Sequence, residues 1–208
     1  MAHVEAYPVV SSDFSVLEGT GCYCSDEAAE TIRGEVTAMP LRAIHLLGSG
    51  DCHYVSLFWL ERIAGPFALI LIDNHPDDQM TAFGPDILSC GSWALNARKL
   101  PGCREVIWLQ EFHESPRLPD CPIYLSIDMD VLSEQFARTN WNQGSMTLDE
   151  LLETVKRIMS TGYVIGVDIC GSSGKGSEDL SGDEVINKRT IKEICAAING
   201  SFIELTTL

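Results

Sequence analysis

The chain has 208 residues, 45% of them apolar and 21% charged, and carries a net charge of −16 from 14 basic and 30 acidic side chains. That length fits one domain, residues 1–208, with a sizeable core, and the acidic balance argues against nucleic acid or an anionic membrane as a partner. It suits cations instead, whether metal ions or positively charged small molecules.

Short apolar runs alternate with helix-like segments, the pattern of an α/β protein with a mostly parallel sheet and crossover helices in three α/β/α layers. A strand is expected over 2–10 and a helix over 25–36. A strand over 42–47 (RAIHLL) ends before GSGDCH, which holds Asp51 and His53. A helix over 54–64 precedes the strand 67–73 (FALILID), which runs into Asp73, His75, Asp77 and Asp78. A helix over 86–99 follows, then strands over 104–109 and 122–128, the second ending at Asp128 and followed by Asp130. The segment SMTLDELLETVKRIMS predicts a helix over 147–160, capped by Thr147, with Leu148, Leu151, Leu152 and Val155 on its apolar face. A strand over 163–169 carries Asp168, a glycine-rich loop fills 171–182, and a helix over 183–199 and a short strand over 202–206 complete the chain. No stretch of about 18 uncharged apolar residues reads as a membrane span. The N-terminal MAHVEAYPVVSSDF lacks the pattern of a signal peptide, so a cytoplasmic address is expected. The eight cysteines form no CxxC pair and are expected to be reduced, mostly as small buried apolar residues.

The informative acids fall at the carboxyl ends of predicted strands, where open parallel sheets bind ligands. Asp73 and His75, two residues apart, face the same way, and Pro76 lets the chain curl Asp77 back toward them. Two carboxylates and an imidazole suit a divalent first-row ion such as Mn²⁺. Asp128 and Asp130 after an apolar strand repel one another unless a cation lies between them. With His53 the set becomes two histidines and four aspartates, enough for two metals bridged by Asp73 and Asp128. Solvent held between two cations loses a proton near neutral pH and becomes a nucleophile.

The order GSGDCH, DNHPD, SIDMD resembles the arginase and agmatinase (ureohydrolase) superfamily, which shares its fold with the deacetylases. The resemblance covers roughly residues 42 to 170, including the glycine-rich turn and helix start NQGSMTLDE. It implies a first metal held by His53, Asp73, Asp77 and Asp128, and a second held by Asp73, His75, Asp128 and Asp130. It also implies that Asp77 carries the nucleophile's proton to the leaving nitrogen, and that the protein forms a homo-oligomer, for which no sequence pattern specifies an interface. Four departures matter. Cys52 intervenes between Asp51 and His53, where the family pattern has no residue. Asp168 is followed three residues on by Gly171, where ureohydrolases carry the glutamate that binds the guanidinium group. CGSW (Cys90 to Trp93) stands where the proton-shuttle histidine should lie, and the chain is about a third shorter than a typical arginase.

Among the remaining residues, His113 is a candidate proton donor and Cys90 and Ser92 candidate substrate contacts. Asp51 either orients His53 or forms a turn. His45 reads as a core histidine, Asp78 as a solvated loop acid, and Tyr54, Phe58 and Trp59 as core. The GSSGKG stretch lacks P-loop spacing. The expected function is a binuclear metal hydrolase acting on a C–N bond of a small amidine, guanidine or amide, not arginine itself. The alternatives are a single-metal deacetylase-like amidohydrolase and a metal-binding scaffold that has lost turnover.

Overall fold

The computed structural model describes residues 6–80, 87–172 and 180–200. The expected strand at 202–206 and most of the 171–182 loop lie outside the described residues, as do the first residues of the expected strand 2–10. Among the described residues, eight strands and five α-helices follow in the order β1 (Val9–Ser11), β2 (Tyr23–Cys24), α1 (Asp26–Thr37), β3 (Ile44–Gly48), α2 (Val55–Leu60), β4 (Phe67–Ile72), β5 (Leu88–Ser89), α3 (Trp93–Ala97), β6 (Cys103–Leu109), β7 (Ile123–Asp128), α4 (Leu148–Met159), β8 (Val164–Cys170) and α5 (Leu180–Asn199).

Six strands form one sheet in the order β1-β3-β8-β7-β4-β6, with every pairing parallel. Parallel sheets need both faces covered, and the side-chain alternation of period two supplies two apolar faces. Ile70 and Ile72 of β4, Ile123, Leu125 and Ile127 of β7, and Val167 and Ile169 of β8 pack with α4 and α5. Leu69 and Leu71 of β4 and Tyr124 of β7 pack on the opposite side with α1, α2 and α3. The result is three α/β/α layers with a core on each side of the sheet.

The parity of the second face matters most. Continuing it to the strand ends, Asp73 follows Leu69 and Leu71, Ser126 and Asp128 follow Tyr124, and Asp168 leads to Cys170. Strand register then aligns neighbours: Ser126 pairs with Asp168 and Asp128 with Cys170 across β7 and β8. Acids four strands apart in sequence thus arrive at one edge of one face.

Several elements differ from the sequence expectation: the strand expected over 2–10 is formed, among the described residues, only over Val9–Ser11, and the short strands β2 and β5 were not expected. The expected helix 86–99 contracts to Trp93–Ala97, because Leu88–Ser89 first pairs antiparallel with Tyr23–Cys24. Ser92 stabilises the turn between them, accepting from the Ser89 backbone N–H at 3.0 Å. The helix at 54–64 contracts to Val55–Leu60, ahead of the Gly65–Pro66 break. By contrast α4 starts as expected, with Thr147 and Glu150 forming a reciprocal capping box. Among the described residues no helix is long and apolar enough to cross a membrane.

Ile158 is fully buried where α4 meets the sheet. Ile158→Ala is expected to cost about 2–5 kcal/mol in urea unfolding, and Thr147→Ala about 1 kcal/mol. Equal losses from the two would contradict a core anchored through α4.

Candidate metal centre

After β3 the chain turns through a short 3-10 segment, Gly50–Cys52, capped by Ser49. This turn absorbs the extra residue Cys52 and swings the His53 ring over the end of the sheet. There its Nδ1 lies 3.2 Å from Asp73 Oδ2, 3.1 Å from Asp77 Oδ2 and 3.4 Å from Asp128 Oδ2. A second group forms beside it, with His75 Nδ1 at 2.9 Å from Asp130 Oδ2 and 3.7 Å from Asp73 Oδ1. All six expected ligands therefore converge: His53, Asp73 and Asp77 form one group, Asp73, His75 and Asp130 a second, and Asp128 stands with His53 and Cys170 in a third.

The carboxylates are oriented by the backbone. Asp73 Oδ1 accepts from the His75 N–H at 2.6 Å, Asp128 Oδ1 from the Asp130 N–H at 2.8 Å, and Asp130 Oδ1 from the Asn74 N–H at 3.1 Å. Three peptide donors hold three outer oxygens, so each Oδ2 turns inward. Asp77 is held differently: it occupies the left-handed region at φ 47, alone among described non-glycine residues, and Trp93 Nε1 donates to its Oδ2 at 2.7 Å. Asp tolerates that conformation better than most residues, and such strain concentrates at functional sites.

The imidazole is fixed from behind. Ser126 donates its hydroxyl to Asp168 Oδ1 at 2.6 Å and sits 2.8 Å from His53 Nε2. With its only proton spent on Asp168, Ser126 accepts from Nε2–H. That assigns the tautomer and leaves Nδ1 facing the three carboxylates.

Inward-pointing anions crowded around one buried imidazole are unfavourable without a further cation. Burial and the charge of Asp130 push the Asp128 carboxyl up to about 7, and burial holds Asp73 well above the usual carboxylate range. Burial alone would lower His53, but the carboxylates of Asp73 and Asp77 beside it lift it well above an ordinary histidine. Asp73 Oδ2 has no hydrogen-bond partner despite complete burial. Divalent metal bonds of about 2.1 Å put neighbouring ligand atoms about 3.0–3.4 Å apart, which matches the spacing around His53 Nδ1. The residues present fit divalent cations.

A cavity of about 460 Å³ opens onto this group, within the range of small-molecule sites. None of its described lining residues is Lys or Arg; Trp141, Tyr23 and Met80 line it along with the site acids. Trp141 Nε1 and Asn140 Nδ2 both donate to Asp51 Oδ1 at 3.0 Å. Asp51 therefore fixes the cavity wall, and the orienting group expected of it for His53 is Ser126 instead.

Other expectations change as well. His113 is exposed beyond β6 and outside the cavity lining, so a proton-donor role has no geometric basis. Ser92 is buried in the turn before α3, with its hydroxyl bonded to Ser89 and outside the lining. Cys90 does line the cavity, but burial, with charge from Cys22 and Asp77, pushes its thiol up, which leaves a neutral donor and no nucleophile. His45 is a core residue, stacked on Trp59 at 3.6 Å and pushed down to about 4 by burial. Asp78 faces Arg98 at the surface, and Tyr54, Phe58 and Trp59 are core.

Sequence reasoning missed Ser126, Trp93, Trp141 and Cys170, whose Sγ lies 2.9 Å from Asp128 Oδ2. The signal for Ser126 was present: a serine two residues before Asp128 in an apolar strand shares its face. Gly171, three residues after Asp168, has φ 92, and a Cβ there would overlap Asp128 Oδ1.

No family model matches the chain. An uncharacterized protein of Thermotoga maritima is 33% identical over 144 residues, 62% of this chain, which thereby spans only 57% of that relative. The arginase of Entamoeba histolytica, solved in complex with L-ornithine, superposes with a TM-score of 0.62 at 12% identity, covering 88% of this chain and 80% of that one. The formiminoglutamase of Trypanosoma cruzi, solved with Mn²⁺, gives 0.61 at 14% identity, covering 85% and 72%. The chain has the arginase-like fold.

Ser126→Ala removes the acceptor that orients His53 and is expected to weaken Mn²⁺ binding about 10–100-fold in calorimetric titration. Unchanged affinity would mean that packing alone holds the ring.

Proposed function

We propose that the protein is a binuclear metal hydrolase that cleaves a C–N bond of a small amidine, guanidine or amide. The observation that carries this is the pair of ligand groups sharing Asp73 at the floor of a substrate-sized cavity. His53, Asp73, Asp77 and Asp128 would hold one divalent ion, and Asp73, His75, Asp128 and Asp130 the other. Mn²⁺ is the proposed metal, as in the T. cruzi neighbour. Bound there, two such ions supply Lewis acidity and solvent acidified to near neutral pH.

The chain's own residues do the rest. Asp77 lines the cavity with Oδ2 anchored by Trp93, leaving Oδ1 to take a proton and return it to the leaving nitrogen. Ser126 and Asp168 keep His53 from rotating. Trp141, half-exposed beside His75 at a ring separation of 6.0 Å, offers a flat wall for a planar substrate group. A cavity lined by carboxylates, with no Lys or Arg among its described lining residues, favours a neutral or cationic substrate over an anionic one. Arginine itself is disfavoured, because Gly171 leaves its guanidinium group without an anchor and no side chain can be placed there.

The same glycine favours a second reading, a metal-holding protein without turnover; the cavity weighs against it. A single-metal amidohydrolase would leave His75 and Asp130 unused.

Equilibration with Mn²⁺ and desalting is expected to leave about two metals per chain, and fewer than one in Asp128→Ala. The loaded protein is then expected to release ammonia or urea from at least one member of an amidine, guanidine and amide panel, and none from arginine. Two metals without release from any member would favour the scaffold; no metal would remove the hydrolase reading altogether.

A further inference from the structure

We infer that Cys170 is a sulfur ligand to the metal held by His53 and Asp128, making the two metal positions chemically unequal. This rests on the metal-centre reading above. Cys170 ends β8 directly across from Asp128 in the strand register, on the sheet face that carries Ser126, Asp128 and Asp168. Its Sγ is buried and lies 2.9 Å from Asp128 Oδ2, the same oxygen that stands 3.4 Å from His53 Nδ1. The three ligand atoms all lie within 4.8 Å of one another. An independent feature marks the spot as a ligand position: Asp73 Oδ2, fully buried and 3.2 Å from the same His53 nitrogen, has no hydrogen-bond partner.

The next residue makes this approach possible. Gly171 turns the chain away in the left-handed region, and the missing Cβ leaves the space that Asp128 occupies. A larger residue at 171 would push Asp128 off the sulfur. One local conformation thus leaves room for Asp128 beside the thiol and none for a side chain at 171.

On metal loading the Sγ–H proton passes to solvent as the sulfur–metal bond forms. A donor set of nitrogen, oxygen and sulfur favours softer ions such as Co²⁺ or Zn²⁺ at this position, while the all-oxygen and nitrogen set around His75 and Asp130 continues to suit Mn²⁺.

The test is the near-ultraviolet spectrum of the full chain loaded with Co²⁺, with the metal counted in parallel. Two Co²⁺ per chain and an intense sulfur-to-cobalt charge-transfer band are expected. The band should vanish in Cys170→Ser and persist in Cys22→Ser and Cys90→Ser, the thiols that line the cavity. Cobalt-edge X-ray absorption of the wild-type protein gives a second readout that needs no variant to fold: a sulfur neighbour at about 2.3 Å. Two bound Co²⁺ with no band and no sulfur neighbour, or a band that survives Cys170→Ser, would overturn the inference and leave the binuclear reading intact. No bound Co²⁺ would overturn both.

Discussion

Mutual repulsion among buried carboxylates governs this end of the molecule. Asp73, Asp77, Asp128 and Asp130 are each no more than 8% exposed, and three of them turn an oxygen toward one imidazole nitrogen. Water cannot screen charges packed this way, and one histidine cannot neutralise them all. The fold does not relieve the conflict by letting the side chains swing apart. Backbone N–H groups fix the outer oxygens of Asp73, Asp128 and Asp130, Trp93 fixes Asp77, and the Ser126–Asp168 pair fixes the ring. Each of these bonds holds the acids in the arrangement least favourable without cations. A scaffold built only for stability would gain by replacing them with apolar residues of similar volume. Retaining them, with hydrogen bonds that preorganise them, is what a site for divalent ions requires.

The sheet makes this possible because its strands are parallel and its register is tight. Parallel strands all present their carboxyl ends at one edge, and alternation sends every second residue to one face. Asp73, Ser126, Asp128, Asp168 and Cys170 share that face on three adjacent strands. The 3-10 turn after β3 brings His53 over them from the side. The apolar residues on the same strands, from Leu69 to Ile127, bury both faces and give the edge its rigidity. The acids themselves contribute no core.

Much of this was legible in the sequence for a simple reason. Apolar runs that end abruptly in acids mark strand ends, and D-x-H-x-D and D-x-D after such runs mark convergence. The positions of β3, β4, β6, β7, β8, α1 and α4 followed from that reading. What was not legible depends on contacts across the sheet. The partner of His53 is Ser126, not the nearby Asp51, because pairing of β7 with β8 decides which hydroxyl lies behind the ring. His113, close in chain order to the end of β6, remains outside the cavity. Ser92 is consumed by a turn, because Leu88–Ser89 pairs with Tyr23–Cys24, a strand pair too short to show any period. The meaning of Gly171 needed coordinates: in sequence it is an absent glutamate, while in space it is room for Asp128 beside a thiol.

The central claim is that these residues hold two metal ions side by side. Anomalous scattering at the manganese edge from crystals grown with Mn²⁺ tests it most directly. Two peaks roughly 3.5–4 Å apart, both within bonding distance of Asp73 and Asp128, are the predicted result. A single peak, or peaks that do not share those two aspartates, would contradict it.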